Sequence, residues 1–218
     1  MAAEIITLNP ADPGQAYTRC REVIMSGGVI VYPTDTFYGL GVDPENENAV
    51  RKLFRIKGRR ADQPILLLIS DRTAVLEWAA ATTPEAEVLM DTFWPGPLTL
   101  VFPALPAVLF ELTAGTHRIG LRVPGNALTR QLLMAVGRGS ALTGTSANVS
   151  GGPNPRTAQE AADALGEKVD LILDAGRTPG GYPSSVVDAS TAELKIIREG
   201  AIPSHELRGR MNKIDKRT

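Results

Sequence analysis

Apolar positions first fall at helical spacing at Ala16, Tyr17, Cys20, Val23 and Ile24, one face of an amphipathic helix. Asp12-Pro13-Gly14-Gln15 precedes them and reads as a cap, a first-turn proline and a Gln three residues after the cap. Gly27-Gly28 ends that helix, residues 29–32 form an apolar run of strand length, and Pro33 stops it. Ala49, Val50, Leu53, Phe54 and Ile56 predict a second helix, closed near Gly58. Further strands are predicted over 65–69, 98–102, 119–123, 169–173, 186–189 and 194–198, and helices over 71–80, 84–92 and 128–136. Thr157-Ala158-Gln159-Glu160 is a capping box that opens another helix. Two prolines flanking a glycine make Phe93-Trp94-Pro95-Gly96-Pro97 a rigid loop.

Strands and helices mix without strict alternation, which predicts one α/β domain with a twisted mixed sheet flanked by helices. That domain is expected over 1–203. The remaining 204–218 are polar and basic with no apolar pattern, and are expected to fray.

Composition narrows the chemistry. Hydrophobic residues make up 43% of 218, a globular value, and 21 Gly and 16 Pro suit a cavity built from shaped turns. A net charge of −1 creates no global field toward nucleic acid or membrane, so anion affinity has to come from a local cluster. Cys20 is the one cysteine, which leaves no internal disulfide and fits a reducing compartment. The start carries no signal-like run, and the apolar stretch over 100–110 is short and broken by Pro103 and Pro106, so a cytoplasmic protein is expected. His117 and His205 have no metal-ligand spacing, and there is no Walker loop, dinucleotide fingerprint or nucleophile elbow.

Three segments carry candidate chemistry. Pro33-Thr34-Asp35-Thr36-Phe37-Tyr38-Gly39-Leu40-Gly41 follows a buried strand and brings hydroxyls and a carboxylate to a strand end. It reads either as a ligand site or as an ordinary hydroxyl-rich turn. Residues 51–60, RKLFRIKGRR, hold six basic residues and no acidic one. A helix C-terminus accommodates one or two such charges, so the excess favours a polyphosphate or nucleic-acid phosphate site. Residues 143–152, TGTSANVSGG, read as an anion nest or as a polar surface loop.

Taken together, PTDTFYGLG, KGR, FWPGPLTLVF, RVP, TSANVSGGPNP and SSVVD resemble the YrdC-like (TsaC-type) threonylcarbamoyladenylate synthases, in family order, from about Gly27 to Pro203. The resemblance is to the single-domain form. It implies a large basic cavity and a nucleotidyltransferase that joins L-threonine, bicarbonate and ATP into threonylcarbamoyl-AMP and pyrophosphate. It further implies Mg²⁺ entering with ATP, and transfer proteins that pass the threonylcarbamoyl group to a tRNA adenosine. The signature falls on Lys57, Arg59, Ser146 and Asn148, which the resemblance makes catalytic and ATP-binding. Gln63, Asn154 and Arg198 would join them on the nucleotide. Thr36, Arg122 and Ser184 would hold threonine. Leu68 departs from a family His, Arg118 from a small hydroxyl residue, Gln63 from an Asn, and Pro183-Ser184-Ser185 from a Ser-Thr pair. Two other readings stand beside it: an RNA-binding module using the same basic cluster, and a paralogue of the same fold with another carbamoyl acceptor.

Overall fold

A computed structural model describes residues 3–136 and 138–215. After β1 (Glu4–Thr7) comes α1 (Gly14–Met25), which buries the predicted face of Ala16, Tyr17, Cys20, Val23 and Ile24. Asp12 does not cap it. Pro13 is already helical at φ −82°, it holds the cap position without a side-chain cap, and its carbonyl accepts from Tyr17 N. β2 (Ile30–Tyr32) pairs antiparallel with β3 (Gly39–Gly41), so the predicted turn after Pro33 returns as a strand. α2 (Glu47–Lys57) starts at Asn46, whose side chain accepts from Ala49 N, and stops at Gly58 with φ 59°. Glycine takes that left-handed conformation without a Cβ clash.

Next come β4 (Leu66–Ile69), α3 (Pro84–Phe93), β5 (Leu98–Pro103), the short α4 (Phe110–Thr113), β6 (Arg118–Arg122) and α5 (Ala127–Val136). The helix expected over 71–80 is instead a 3₁₀ segment, Arg72–Glu77. Asp71 caps it at Thr73, and Ala79 then bridges to Ala104, which ends any helical continuation. β7 (Ala141–Ser146), α6 (Ala158–Leu165), β8 (Leu171–Asp174), β9 (Ser185–Asp188), β10 (Lys195–Arg198) and α7 (Ser204–Asp215) complete the chain. Thr157 Oγ1 caps α6 through Glu160 N at 3.1 Å, while the Glu160 carboxylate reaches Arg156 N at 2.6 Å rather than its boxed partner.

The strands form a ten-stranded sheet in the order β1-β8-β2-β3-β7-β4-β6-β5-β9-β10. Parallel pairs (β1 with β8, β4 with β6, β5 with β9) mix with antiparallel ones. The larger core, holding Leu53, Leu67, Leu89, Leu100 and Leu121, packs on one face. A smaller core of α1 and α5 residues with Tyr32, Leu68 and Leu142 covers part of the other. Among the described residues no helix is long and apolar enough to cross a membrane.

α7 corrects the frayed terminus. Leu207 is fully buried, Met211 packs on the same core, and the helix lies beside α3. One i, i+4 pair was too short a signal for periodicity to register.

Candidate functional site

Strand alternation builds the site. On β5, Leu98, Leu100 and Phe102 enter the larger core, while Thr99 and Val101 line a cavity of about 990 Å³ on the opposite face. On β6, Ile119 and Leu121 point into the core, and Arg118, Gly120 and Arg122 face the cavity. Gly144 on β7 gives it width, since a Cβ there would come within 2.5 Å of Leu66 Cδ1. Four arginines line this space among the described residues: Arg59, Arg118, Arg122 and Arg198. They are held in two ways.

Arg122 and Arg118 are paired to carboxylates. Arg122 is 5% exposed; its Nη2 donates to Asp35 Oδ1 at 2.6 Å and its Nε to Gly96 O at 3.0 Å. Both bonds lie on one edge of the guanidinium, so the edge shared by Nη1 and Nη2 stays available to a ligand carboxylate. Leu68 stands in register beside Arg122 on β4 and gives that end an apolar wall. Arg118 Nη1 reaches Asp188 Oδ2 at 2.7 Å from a half-exposed position.

Arg59 and Arg198 are held by carbonyl oxygens. Arg59 donates from Nε to Gln63 O at 3.1 Å and from Nη2 to Pro64 O at 2.7 Å. Arg198 donates from Nη2 to Ser184 O at 2.7 Å and from Nε to the same oxygen at 3.2 Å. Burial pushes both guanidiniums below their ordinary value, and in Arg198 the nearby charge of Arg122 adds to it. A guanidinium held only by carbonyl oxygens keeps its full charge for an incoming anion, Arg59 from a half-buried position and Arg198 from an exposed one. The pairing of β10 with β9 shifts register between Ile196 and Arg198, and this irregularity lets consecutive Ile197 and Arg198 both line the cavity.

Lys57 takes a different position from the one its signature suggests. It is 2% exposed and does not line the cavity among the described residues. Its Nζ donates to Ser146 O at 2.5 Å, Asn148 O at 2.9 Å and Asn148 Oδ1 at 3.1 Å. All three ammonium hydrogens are thereby engaged. Burial, and then the charge of Arg59, lower this lysine to about 8. Ser146 Oγ also donates to Asn148 Oδ1 at 2.7 Å, and Asn148 Nδ2 reaches Asn154 Oδ1 at 3.4 Å. Ser146, Asn154 and Gln63 line the cavity, whereas Asn148 lies buried behind it.

The basic run over 51–60 is therefore not one phosphate patch. Arg51 bonds Glu47 and Glu111, Lys52 bonds Asp170 and Arg60 bonds Asp62, so only Arg59 of the six faces the cavity. A helix turns successive side chains to different sides, and Glu111 and Asp170 arrive from distant sequence. The polar stretch over 143–152 is partly strand, its first four residues belonging to β7.

The remaining predicted residues gather at the Arg122 end. Thr34 Oγ1 donates to Phe37 O at 2.6 Å and accepts from Thr36 N at 3.1 Å and Phe37 N at 3.2 Å, and Thr36 Oγ1 lies 3.1 Å from it. Thr36 also lines the cavity, which puts it within reach of a ligand. Ser184 Oγ lies 2.9 Å from Thr99 Oγ1 and 3.3 Å from Arg198 Nη2. Sequence reasoning assigned no role to Thr34, Asp35, Thr99 or Asp188. Asp35 was within sight in the Thr-Asp-Thr triplet, and Asp188 in the alternation of β9.

A family model for Sua5, YciO and YrdC proteins, described as telomere recombination, matches residues 22–200. The threonylcarbamoyl-AMP synthase of Thiobacillus denitrificans is 40% identical over 194 residues, 86% of this chain and 95% of that protein. That of Pyrococcus abyssi is 35% identical over 184 residues, 84% of this chain and 54% of that protein, so the chain spans about half its length. The crystal structure of P. abyssi Sua5 complexed with L-threonine matches with a TM-score of 0.88 at 32% identity, covering 95% of this chain and 60% of that one.

Proposed function

The chain belongs to the Sua5/YciO/YrdC family, and from that premise we propose that it is a threonylcarbamoyl-AMP synthase, a nucleotidyltransferase acting on L-threonine, bicarbonate and ATP. The observation that carries this reading is the division of the arginines lining the cavity. An ion-paired Arg122 with one open edge suits a carboxylate, and the carbonyl-held Arg59 and Arg198 suit phosphates.

Threonine's carboxylate meets the open edge of Arg122. Its hydroxyl meets Thr36 and Ser184, and its methyl rests on Leu68. The threonine amine and bicarbonate condense to a carbamate with loss of water. A carbamate oxygen then attacks the α-phosphorus of ATP, forming the O–P bond of threonylcarbamoyl-AMP as the bond to pyrophosphate breaks. Negative charge grows on the phosphoryl and leaving oxygens. Arg59 and Arg198 are prepositioned to stabilise it, with Ser146, Asn154 and Gln63 on the same lining. Lys57 acts through Asn148, fixing the turn that presents Ser146. No side-chain nucleophile is required.

Mg²⁺ enters with ATP. Asp62 is the carboxylate on the lining among the described residues, and Arg60 already engages it. That donor set fits an ion held mainly by phosphate oxygens and water, supplying charge neutralisation as pyrophosphate departs. The product serves tRNA modification in the cytoplasm, through proteins that carry the threonylcarbamoyl group onward.

The test is pyrophosphate release from ATP, with threonine and bicarbonate each supplied or withheld. Release that requires both is the expected result. Release independent of threonine, or no release alongside salt-sensitive RNA binding, overturns the reading.

A further inference from the structure

Asp35 pairs with an arginine that lines the cavity, and the reaction above leaves its carboxylate without a task. Its Oδ1 is 2.6 Å from Arg122 Nη2, and both side chains are largely buried, 16% and 6% exposed. Its other oxygen lies against Gly125, where an added Cβ would approach Oδ2 to 2.9 Å. The carboxylate is thus held by Arg122 on one side, and on the other the space leaves room only for a glycine at 125. Through it and Gly96 O, the Arg122 fork is fixed as well. Arg198, a few side chains away on the same face, has no carboxylate partner among the described residues.

Chemistry separates the two arrangements. A guanidinium already neutralised by one carboxylate can still give a second carboxylate two aligned N–H bonds. It offers much less to a polyphosphate, whose several charges are repelled by the carboxylate already present. We infer that Asp35 is a positioning and specificity-determining residue, which aims Arg122 at the amino-acid carboxylate and keeps polyphosphate out of that end of the cavity. The inference rests on the synthase reading, because it assigns the two ends of the cavity to threonine and to nucleotide. Without such a device, ATP or released pyrophosphate would compete for Arg122 with a substrate of lower charge.

Two variants separate the roles. Asp35→Asn keeps an oxygen facing Nη2 and removes the charge; Asp35→Ala removes both. Binding of L-threonine and of inorganic pyrophosphate is measured separately by calorimetry on the full chain, without turnover. In Asp35→Ala, threonine affinity falls about tenfold or more as Arg122 loses its orientation. In Asp35→Asn, threonine affinity stays within about threefold, while pyrophosphate becomes a competitor of threonine at concentrations about tenfold lower than in the parent chain. Gly125→Ala displaces the same carboxylate from the opposite side and weakens threonine binding alike, which covers the case of an Asp35→Ala chain that fails to fold. Unchanged threonine affinity in both Asp35→Ala and Gly125→Ala, or identical pyrophosphate competition in Asp35→Asn and the parent, overturns the inference while leaving the synthase reading intact. A parent chain that binds no threonine overturns both.

Discussion

Arg122 and Arg198 line the same cavity yet sit in opposite electrostatic settings. Arg122 is buried against Asp35, whereas Arg198 leans on the carbonyl of Ser184, and Arg59 repeats that arrangement on Gln63 and Pro64. A carbonyl orients a guanidinium and leaves its full charge in place; a carboxylate orients it and cancels that charge. One cavity thereby offers two kinds of cationic site, one on Arg122 with its charge offset and one on Arg59 and Arg198 with full charge, and Arg198 sits close enough to touch Ser184 and feel the charge of Arg122. Number of arginines matters less here than what stands behind each one.

The comparison breaks most visibly at the carbonyl-held end. Arg59→Ala is expected to lower kcat/KM for ATP about 10²–10³-fold, as loss of a preorganised donor to developing phosphoryl charge does. Circular dichroism should find the fold unchanged. A comparable loss of ATP dependence in Arg122→Ala would erase the distinction between the two ends. Instead, Arg122→Ala should raise the threonine KM about tenfold to a hundredfold with the ATP KM nearly constant, read from initial rates with one substrate varied at a time. The same variant should melt earlier, because Asp35 loses its partner.

Lys57, behind the Ser146–Asn148 turn, adds a dependence on pH. Lys57 lies near 8 in the fold, against 10.5 for an ordinary lysine. Above about 8 the folded chain gives up a proton that the unfolded chain keeps until about 10.5, so this group's contribution to stability rises with pH across that window. Function runs the other way. A neutral amine has two donors for three acceptors, so the Ser146–Asn148 turn loosens and kcat/KM for ATP declines severalfold as pH passes 8, while threonine binding stays flat. A pH profile for ATP with no inflection near 8 would remove Lys57 from that end. The smallest effect belongs to Arg118, whose pair with Asp188 is half exposed. Such pairs contribute about 0–1 kcal/mol, and Arg118→Ala should shift either KM by less than about threefold.

The fold was legible wherever a strand or helix had one buried face. Apolar runs located β5 and β6, and the resemblance then picked out Arg122 on β6; helical spacing located α1 and α2, the latter ending on Lys57. What escaped had a local reason. β3 is three residues with two glycines, so no side-chain alternation exists to read. β7 carries three hydroxyl residues and a glycine into a sheet interior, where they face the cavity or bond backbone, as Thr143 Oγ1 does with Val42 N. In the site, residue identities were readable and their partners were not. RKLFRIKGRR gave six cations with no sign that Glu111 and Asp170 would meet two of them. Lys57 and Arg59 stand two apart in sequence, yet one faces a buried turn and the other the cavity.

The irregular pairing of β10 has a second consequence. β10 is the outer strand of the sheet, and a regular outer strand exposes a row of N–H and C=O groups on which the strand of another molecule can grow. Here the register breaks between Ile196 and Arg198, and the strand carries a lysine and an arginine over its four residues. The twist and the charges that aim Arg198 also make this border a poor template for strand addition. Removing the irregularity to straighten β10 would withdraw Arg198 from the cavity and open a path to aggregation in the same step.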